Sequence, residues 1–390
     1  MIDFKPNCLP LLVGSLPMAD HLEATNLMLQ YTPEIPLWVQ LPMYKEEGML
    51  YQFLSGMPGL VVNKGDSSKE KDFYIDTSAE TFEDDVLAFY EEYMAIIESP
   101  SRFEGSNFDG SVSSKSSASS KSILNDSRFA LTDTTAKGFS VFMETVKSLP
   151  KVPVAVKGQV TGPITMGIGV KDQAGRLLFY DERMRDIVTK QVAMNARWQV
   201  FQLLKLNTPC KPIIFFDEPG VVGFGSSTYI SITREQIIDS LKEGIDSVHQ
   251  AGGIAGIHIC ANGDWTLALE SGTDIINFDA YSYFDRLILY REPLKKFIEK
   301  EGILAWGIVP TGNPEYVEKA SLNSLWEMWN DQVNELASLG ISREKILSQS
   351  LITPSCGTGS LSLEHAIKVL SLTKELSERI RNDQNFTINN

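Results

Sequence analysis

The sequence predicts an α/β protein formed as one (β/α)8 barrel, on three observations. Short apolar runs recur along its 390 residues, longer segments with helical spacing separate most of them, and the runs number eight, as barrel closure requires. They fall at 10–13, 37–41, 152–156, 212–216, 254–259, 274–278, 303–308 and 346–352, each bounded by Gly, Pro or polar residues. Among the helices, Thr233 and Gln236 have the spacing of a capping box, and Ile237, Leu241, Ile245 and Val248 trace one apolar stripe behind it. A comparable stripe, Leu363, Ile367 and Leu370, follows the last run and supplies the closing helix.

The interval between the second and third runs exceeds the regular alternation. It holds helical segments at 80–98, read as an elaboration over the barrel mouth, and at 132–149, read as the regular crossover. Between them, 106–122 is Ser- and Gly-rich with little to bury, which predicts a flexible surface insertion. Residues 1–390 are therefore expected to form one domain carrying this insertion and a C-terminal tail at 383–390.

Composition narrows the function. With 43% hydrophobic and 22% charged residues the chain can bury a large core, and a net charge of −15 without a basic patch speaks against nucleic-acid or membrane-surface partners. Small molecules and other proteins remain. The N-terminus MIDFKPNCLP has no signal-peptide pattern, and no apolar run is long enough to span a bilayer, so the expected location is cytoplasmic. Four widely spaced cysteines suit a reducing compartment in which thiols stay available for metal or chemistry.

The chemistry concentrates at strand ends. In GIHICANGDW, His258 and Cys260 sit two apart at the end of one run, so both side chains reach the same face. A buried cysteine beside a hydrogen-bonded histidine is the structural alternative, and further ligands decide the matter. TDIINFDAY ends in Asp279, and ITPSCGTGS presents Cys356 among small residues. In a barrel these ends converge on one rim, where two thiolates, an imidazole and a carboxylate make a zinc first shell, too soft for calcium or magnesium. Asp279 is equally suited to capping the next helix or holding a ligand histidine. Cys8 and Cys210 precede their runs, at the opposite end, and read as packing residues, as do the helical His21, His249 and His365.

Three other ends point into the same mouth. Gly14 and Ser15 in VGSLP offer backbone and hydroxyl to a substrate, Thr161, Gly162 and Pro163 form a rim turn, and Asp217 and Glu218 in FFDEPG can bind an ammonium group or act as acid and base. Turn chemistry and a solvated helix start are the corresponding structural readings.

Taken in order, GSLP, TGP, DEP, HIC, IINFD and SCGTG resemble the superfamily that joins uroporphyrinogen decarboxylase with the catalytic barrel of cobalamin-independent methionine synthase and the methylcobalamin:coenzyme M methyltransferases. The match covers nearly the whole chain. The resemblance implies zinc held by His258, Cys260 and Cys356, with Asp279 where methionine synthases have a glutamate. It further implies Asp217 at the amino group of homocysteine and Ser15 beside its carboxylate. Full-length methionine synthases of this kind carry two barrels, and 390 residues hold one, so the resemblance is closer to short forms that take the methyl group from a methylated corrinoid protein, with methyl-folate as the alternative donor. GSLPMAD stands where uroporphyrinogen decarboxylases carry an arginine motif, which disfavours porphyrin decarboxylation. The implied activity is zinc-dependent S-methylation of a thiol such as homocysteine. The alternatives are a coenzyme M-type methyltransferase, a decarboxylase-like lyase, or a non-catalytic corrinoid- or thiol-binding module.

Overall fold

Strands buried on both faces read as continuous apolar runs, and such runs supply most of the central sheet. In the computed structural model, which describes residues 4–63, 73–98, 124–226 and 229–383, the strands are β1 (Leu9–Pro10), β2 (Leu60–Val62), β3 (Phe73–Ile75), β4 (Lys157–Thr161), β5 (Ile213–Asp217), β6 (Ile254–Ile259), β7 (Ile275–Phe278), β8 (Ile303–Val309) and β9 (Ser350–Pro354). Seven of them form one parallel sheet in the order β1-β9-β8-β7-β6-β5-β4, while β2 and β3 pair antiparallel apart from it.

The closed eight-stranded barrel expected from the sequence is not formed: the sheet is a curled, open one of seven strands. The run at 37–41 is not a strand. It makes two isolated parallel bridges, Ser15 to Gln40 and Leu37 to Lys157. Side chains have taken the backbone groups a ladder would use, since Trp38 O accepts from Gln159 Nε2 at 2.9 Å and Leu41 N donates to Glu47 Oε2 at 2.8 Å. Pro36 and Pro42, which have no N–H to give, flank the segment.

Three other runs shift. The run at 10–13 contributes only its start, as β1. That at 152–156 gives way to the more polar Lys157–Thr161. That at 346–352 divides into a helix, Arg343–Ser348, capped by Ser342 accepting from Lys345 N, and β9. The expected insertion at 106–122 and all of the expected tail except Asp383 lie outside the described residues.

Register sets the interior in layers. Ile213 pairs with Ile254 and Ile275 with Ile303, so these side chains meet Phe4, Leu11, Ala305 and Leu351 inside the curl at the strands' N-terminal ends. Each such burial contributes roughly 1.5–3 kcal/mol. Gly256 opposes Phe215 here, and a Cβ would lie 2.7 Å from that ring, so glycine makes room for the aromatic. A larger cluster fills the space between sheet and helices. The helix Arg234–Gln250 carries the expected capping box, Thr233 with Gln236, and buries Ile237, Leu241, Ile245 and Val248. The helix Phe82–Glu98, expected over the mouth, lies against the outer helices through Tyr90 on Asp186 and Tyr93 near Glu243.

Candidate metal centre

Two residues of separation place His258 and Cys260 on one side of the end of β6, and Cys356 follows β9 in the loop Ser355–Thr358. Strands β8 and β7 stand between β9 and β6. In a flat sheet three strand spacings would separate those ends by about 14 Å. One ligand atom from each of His258, Cys260 and Cys356 nevertheless lies within 4.8 Å of the other two, because the sheet curls. These three residues form a group that could hold a metal ion.

The Cys356 loop is fixed from the opposite edge. Thr358 donates to Ser15 O through both N and Oγ1 at 3.0 Å, and Gly359 N donates to Ser15 Oγ at 3.2 Å. A Cβ on Gly357 would come within 2.2 Å of Ser15 Oγ, so the small residues around Cys356 are what this contact demands. Gly14 likewise leaves space for Gln40, whose N donates to Gly14 O. Gly14 and Ser15, expected to face a substrate, also tie the chain to itself through Gly14 O, Ser15 O and Ser15 Oγ as acceptors.

His258 is 3% exposed; Cys260 and Asn277 stand beside its ring, but neither ring nitrogen has a hydrogen bond of good geometry among the described residues. An orphaned buried polar atom costs about 1–3 kcal/mol, so a ring with two is a site that calls for a ligand. A metal ion would answer one of the two nitrogens, and the donor set suits such an ion. Burial alone would lower the His258 pKa, but neighbouring Cys260 and Asp217 outweigh it and raise it. A hydrogen bond from Cys356, together with His258, holds the Cys260 thiol far down, at about 4, and the same sharing pushes Cys356 up. Sharing of this kind favours ionisation of one sulfur of the pair, and a thiolate is the form that binds metal.

Asp279 stands outside this group of three. It caps the helix Ala280–Leu287 by accepting from Ser282 N at 2.8 Å, and burial raises its carboxyl to about 6. The sequence left capping and ligation open, and the structure places the side chain in the cap.

Asp217 and Glu218 part company completely. Glu218 is fully buried and turned toward the helix Pro163–Gly169, where Oε1 accepts from Ile164 N at 2.9 Å and Oε2 from Thr165 N at 2.9 Å and Thr165 Oγ1 at 2.7 Å. Burial lifts its carboxyl to about 7 against these three bonds. A Cβ on Gly162 would fall 2.2 Å from this carboxylate, which explains the glycine of TGP. Glu218 is thus a cap for a neighbouring turn rather than a substrate ligand. Asp217, paired in register with His258, has a buried Oδ1 without a partner. Burial raises its pKa, opposed by His258 and by Lys157.

Lys157 escaped the sequence reading. Its buried ammonium donates to Val13 O and, at 3.1 Å, to Gln159 Oε1, and lies 5.0 Å from the Phe215 ring centroid. Burial depresses its pKa to about 8. A lysine breaking an apolar run just before a rim turn was the available signal. The remaining histidines and cysteines, read as packing residues, have contacts of their own. His21 meets Glu47, His249 meets Asp274, His365 meets Glu318, Cys8 donates to Leu347 O, and Cys210 packs against the inner cluster.

Among the described residues no helix is long and apolar enough to cross a membrane. No family model and no curated protein matches the chain. Among solved structures it is similar to A. niger ochratoxinase over 63% of this chain and 67% of that one, at 12% identity and a TM-score of 0.27, a likeness too low to carry a functional argument.

Proposed function

We propose that the chain is a zinc-dependent thiol S-methyltransferase acting in the cytoplasm. The observation that carries this reading is the gathering of one imidazole and two cysteine sulfurs within 4.8 Å at the C-terminal ends of the strands, where open α/β sheets bind ligands. Two soft sulfur donors and one nitrogen favour zinc over calcium or magnesium. Three protein ligands leave a position for an incoming thiol, and bound zinc supplies the Lewis acidity that makes such a thiol ionise at neutral pH.

The chain's residues then orient the substrate. The open oxygen of Asp217 accepts the ammonium group of an amino thiol such as homocysteine, and the positive charge of Lys157 nearby favours its ionised form. The Ser15 hydroxyl, which accepts from Gly359, retains its own proton for a substrate carboxylate. Held in this way, the sulfur attacks a methyl carbon. The S–CH3 bond forms as the bond from methyl to donor breaks, the thiol proton goes to solvent, and the donor leaves with the electron pair. A methylated corrinoid protein or a methyl-folate has the right chemistry to be that donor.

Zinc quantification on wild type and Cys356→Ala, followed by an S-methylation screen of homocysteine and coenzyme M with free methylcobalamin, tests the reading. About one zinc per wild-type chain, lost in the variant, and methylation of at least one thiol are expected. Zinc without turnover on either thiol would overturn the methyl-transfer reading and leave the metal site standing, whereas absence of zinc would remove both.

A further inference from the structure

The helix Phe82–Glu98 has two apolar faces. Phe82, Val86, Phe89 and Ile96 are buried against the body of the protein. Beside them Leu87, Met94 and Ile97 remain 59%, 45% and 38% exposed, and with half-buried Tyr90 they form a ridge whose 3-4-3 spacing is that of a coiled-coil seam. On the flank away from the body, Asp84, Glu91 and Glu98 recur every seventh residue, so a row of carboxylates runs beside the ridge.

The other flank is a groove shared with the helices Glu182–Leu203 and Arg234–Gln250. Two cavities of about 310 and 720 Å³ lie along it, both lined by Asp239 and Glu243; Tyr93, Ile97 and Asp246 line one, Tyr90 and Asp186 the other. Arg183, Arg185 and Lys242 also line these cavities, but Asp181, Glu182, Asp186, Asp239, Glu243 and Asp246 outnumber them, and nearby Lys190 is already matched by Asp186 at 2.5 Å and Glu243 at 3.3 Å, so the groove is negative on balance.

We propose that this face docks a basic amphipathic helix of another protein. An apolar stripe on that helix covers Leu87, Tyr90, Met94 and Ile97, and lysines or arginines on its two flanks meet the carboxylate row and the acidic groove. The charge pattern decides the occupant. The ridge-bearing helix holds no lysine or arginine, and although Arg183 meets Glu83 and Arg128 meets Asp85 and Glu92, the row Asp84, Glu91 and Glu98 lies apart from these pairs, so a second copy would set this row against itself. Residues 99–123, which follow the helix, are rich in serine and carry few apolar side chains to cover the ridge. Anionic lipid is repelled.

The probe is a synthetic helix with leucine at its a and d positions and lysine at e and g, labelled for fluorescence anisotropy. Wild-type protein is expected to bind it, with affinity falling as salt rises, at least about tenfold more tightly than Leu87→Ser/Met94→Ser protein, given the apolar area lost. Glu91→Lys/Glu98→Lys protein is expected to weaken binding and lessen its salt dependence. Unchanged far-ultraviolet dichroism and zinc content establish that the variants keep the fold. Equal binding by wild type and the serine variant, or equal binding of a scrambled peptide, would overturn the proposal. So would concentration-dependent self-association that the serine variant abolishes, which assigns the face to a second copy. Binding that appears only after removal of residues 101–122 would assign it to the chain's own segment.

Discussion

The same strands serve opposite purposes at their two ends. Where β5, β6, β7, β8 and β9 begin, Ile213, Ile254, Ile275, Ile303 and Leu351 fill the inside of the curl with side chains that need only one another. Where β5 and β6 end, Asp217 and His258 are buried with polar atoms unanswered, beside Cys260 and, across the curl, Cys356. One end gains stability by burying apolar area. The other holds polar groups at a cost that the rest of the molecule sustains, as binding sites do.

The largest effect that can break this comparison is on metal. Cys356→Ala removes one of three donors, and the loss of zinc affinity should exceed the roughly 10–100-fold caused by losing an outer partner of a ligand. Melting of the metal-free forms should hardly change, since Cys356 belongs to neither apolar cluster. Elemental analysis against a graded chelator checks the first point and calorimetry of the metal-free forms the second. Retained zinc in the variant would dissolve the division of labour.

Stability should respond in the reverse sense. Ile275→Ala at the beginning of β7 is expected to cost about 2–5 kcal/mol in denaturant unfolding of the metal-free protein, with zinc stoichiometry intact. Glu218→Ala should cost about 3–5 kcal/mol even though its position is next to Asp217, because it strands two N–H groups and a hydroxyl. Asp217→Asn is the converse. With Oδ1 unpartnered and only the attraction to Lys157 and His258 lost, unfolding should move less than in Glu218→Ala, while kcat/KM for an amino thiol falls by about 10–100-fold, the value of about 1.5–3 kcal/mol for a charged hydrogen bond. A thiol without an amino group should be unaffected. Equal losses on both substrates would take Asp217 out of substrate binding.

Legibility followed the same division. The strands at 212–216, 254–259, 274–278 and 303–308 were readable because both of their faces meet apolar neighbours. His258, Cys260 and Cys356 were readable because their chemistry, and their place at strand ends, differ from the packing around them. Closure was not readable. Whether 37–41 joins the sheet depends on Gln159 and Glu47 side chains that occupy its backbone groups from 121 residues away and 6 residues away, and no local pattern encodes that. The third run falls at 152–156, just short of β4, because Lys157 and Gln159 look solvent-bound in sequence and are buried through Val13, Trp38 and Gln199. Asp217 and Glu218 are indistinguishable as an acidic pair until the Thr165 turn is seen to claim one of them.

The smallest expected effect tests the quiet end of the sheet. His249 Nε2 lies 2.7 Å from Asp274 Oδ2, which also accepts from Ala255 N, close to where β6 and β7 begin. That hydrogen bond raises the His249 pKa above its usual value in spite of partial burial. The folded value therefore exceeds the unfolded one, near 6.5, so the stabilisation is complete below about pH 6.5 and disappears as pH rises through the folded value. With the side chain 36% exposed, solvent screening reduces it to a few tenths of a kcal/mol. His249→Gln should accordingly lower the urea midpoint slightly at pH 6, and the wild-type and variant midpoints should converge by pH 9. A gap that stays constant across this range would mean that packing, not charge, carries the contact. A change in zinc content would mean that the two ends are not separable at all.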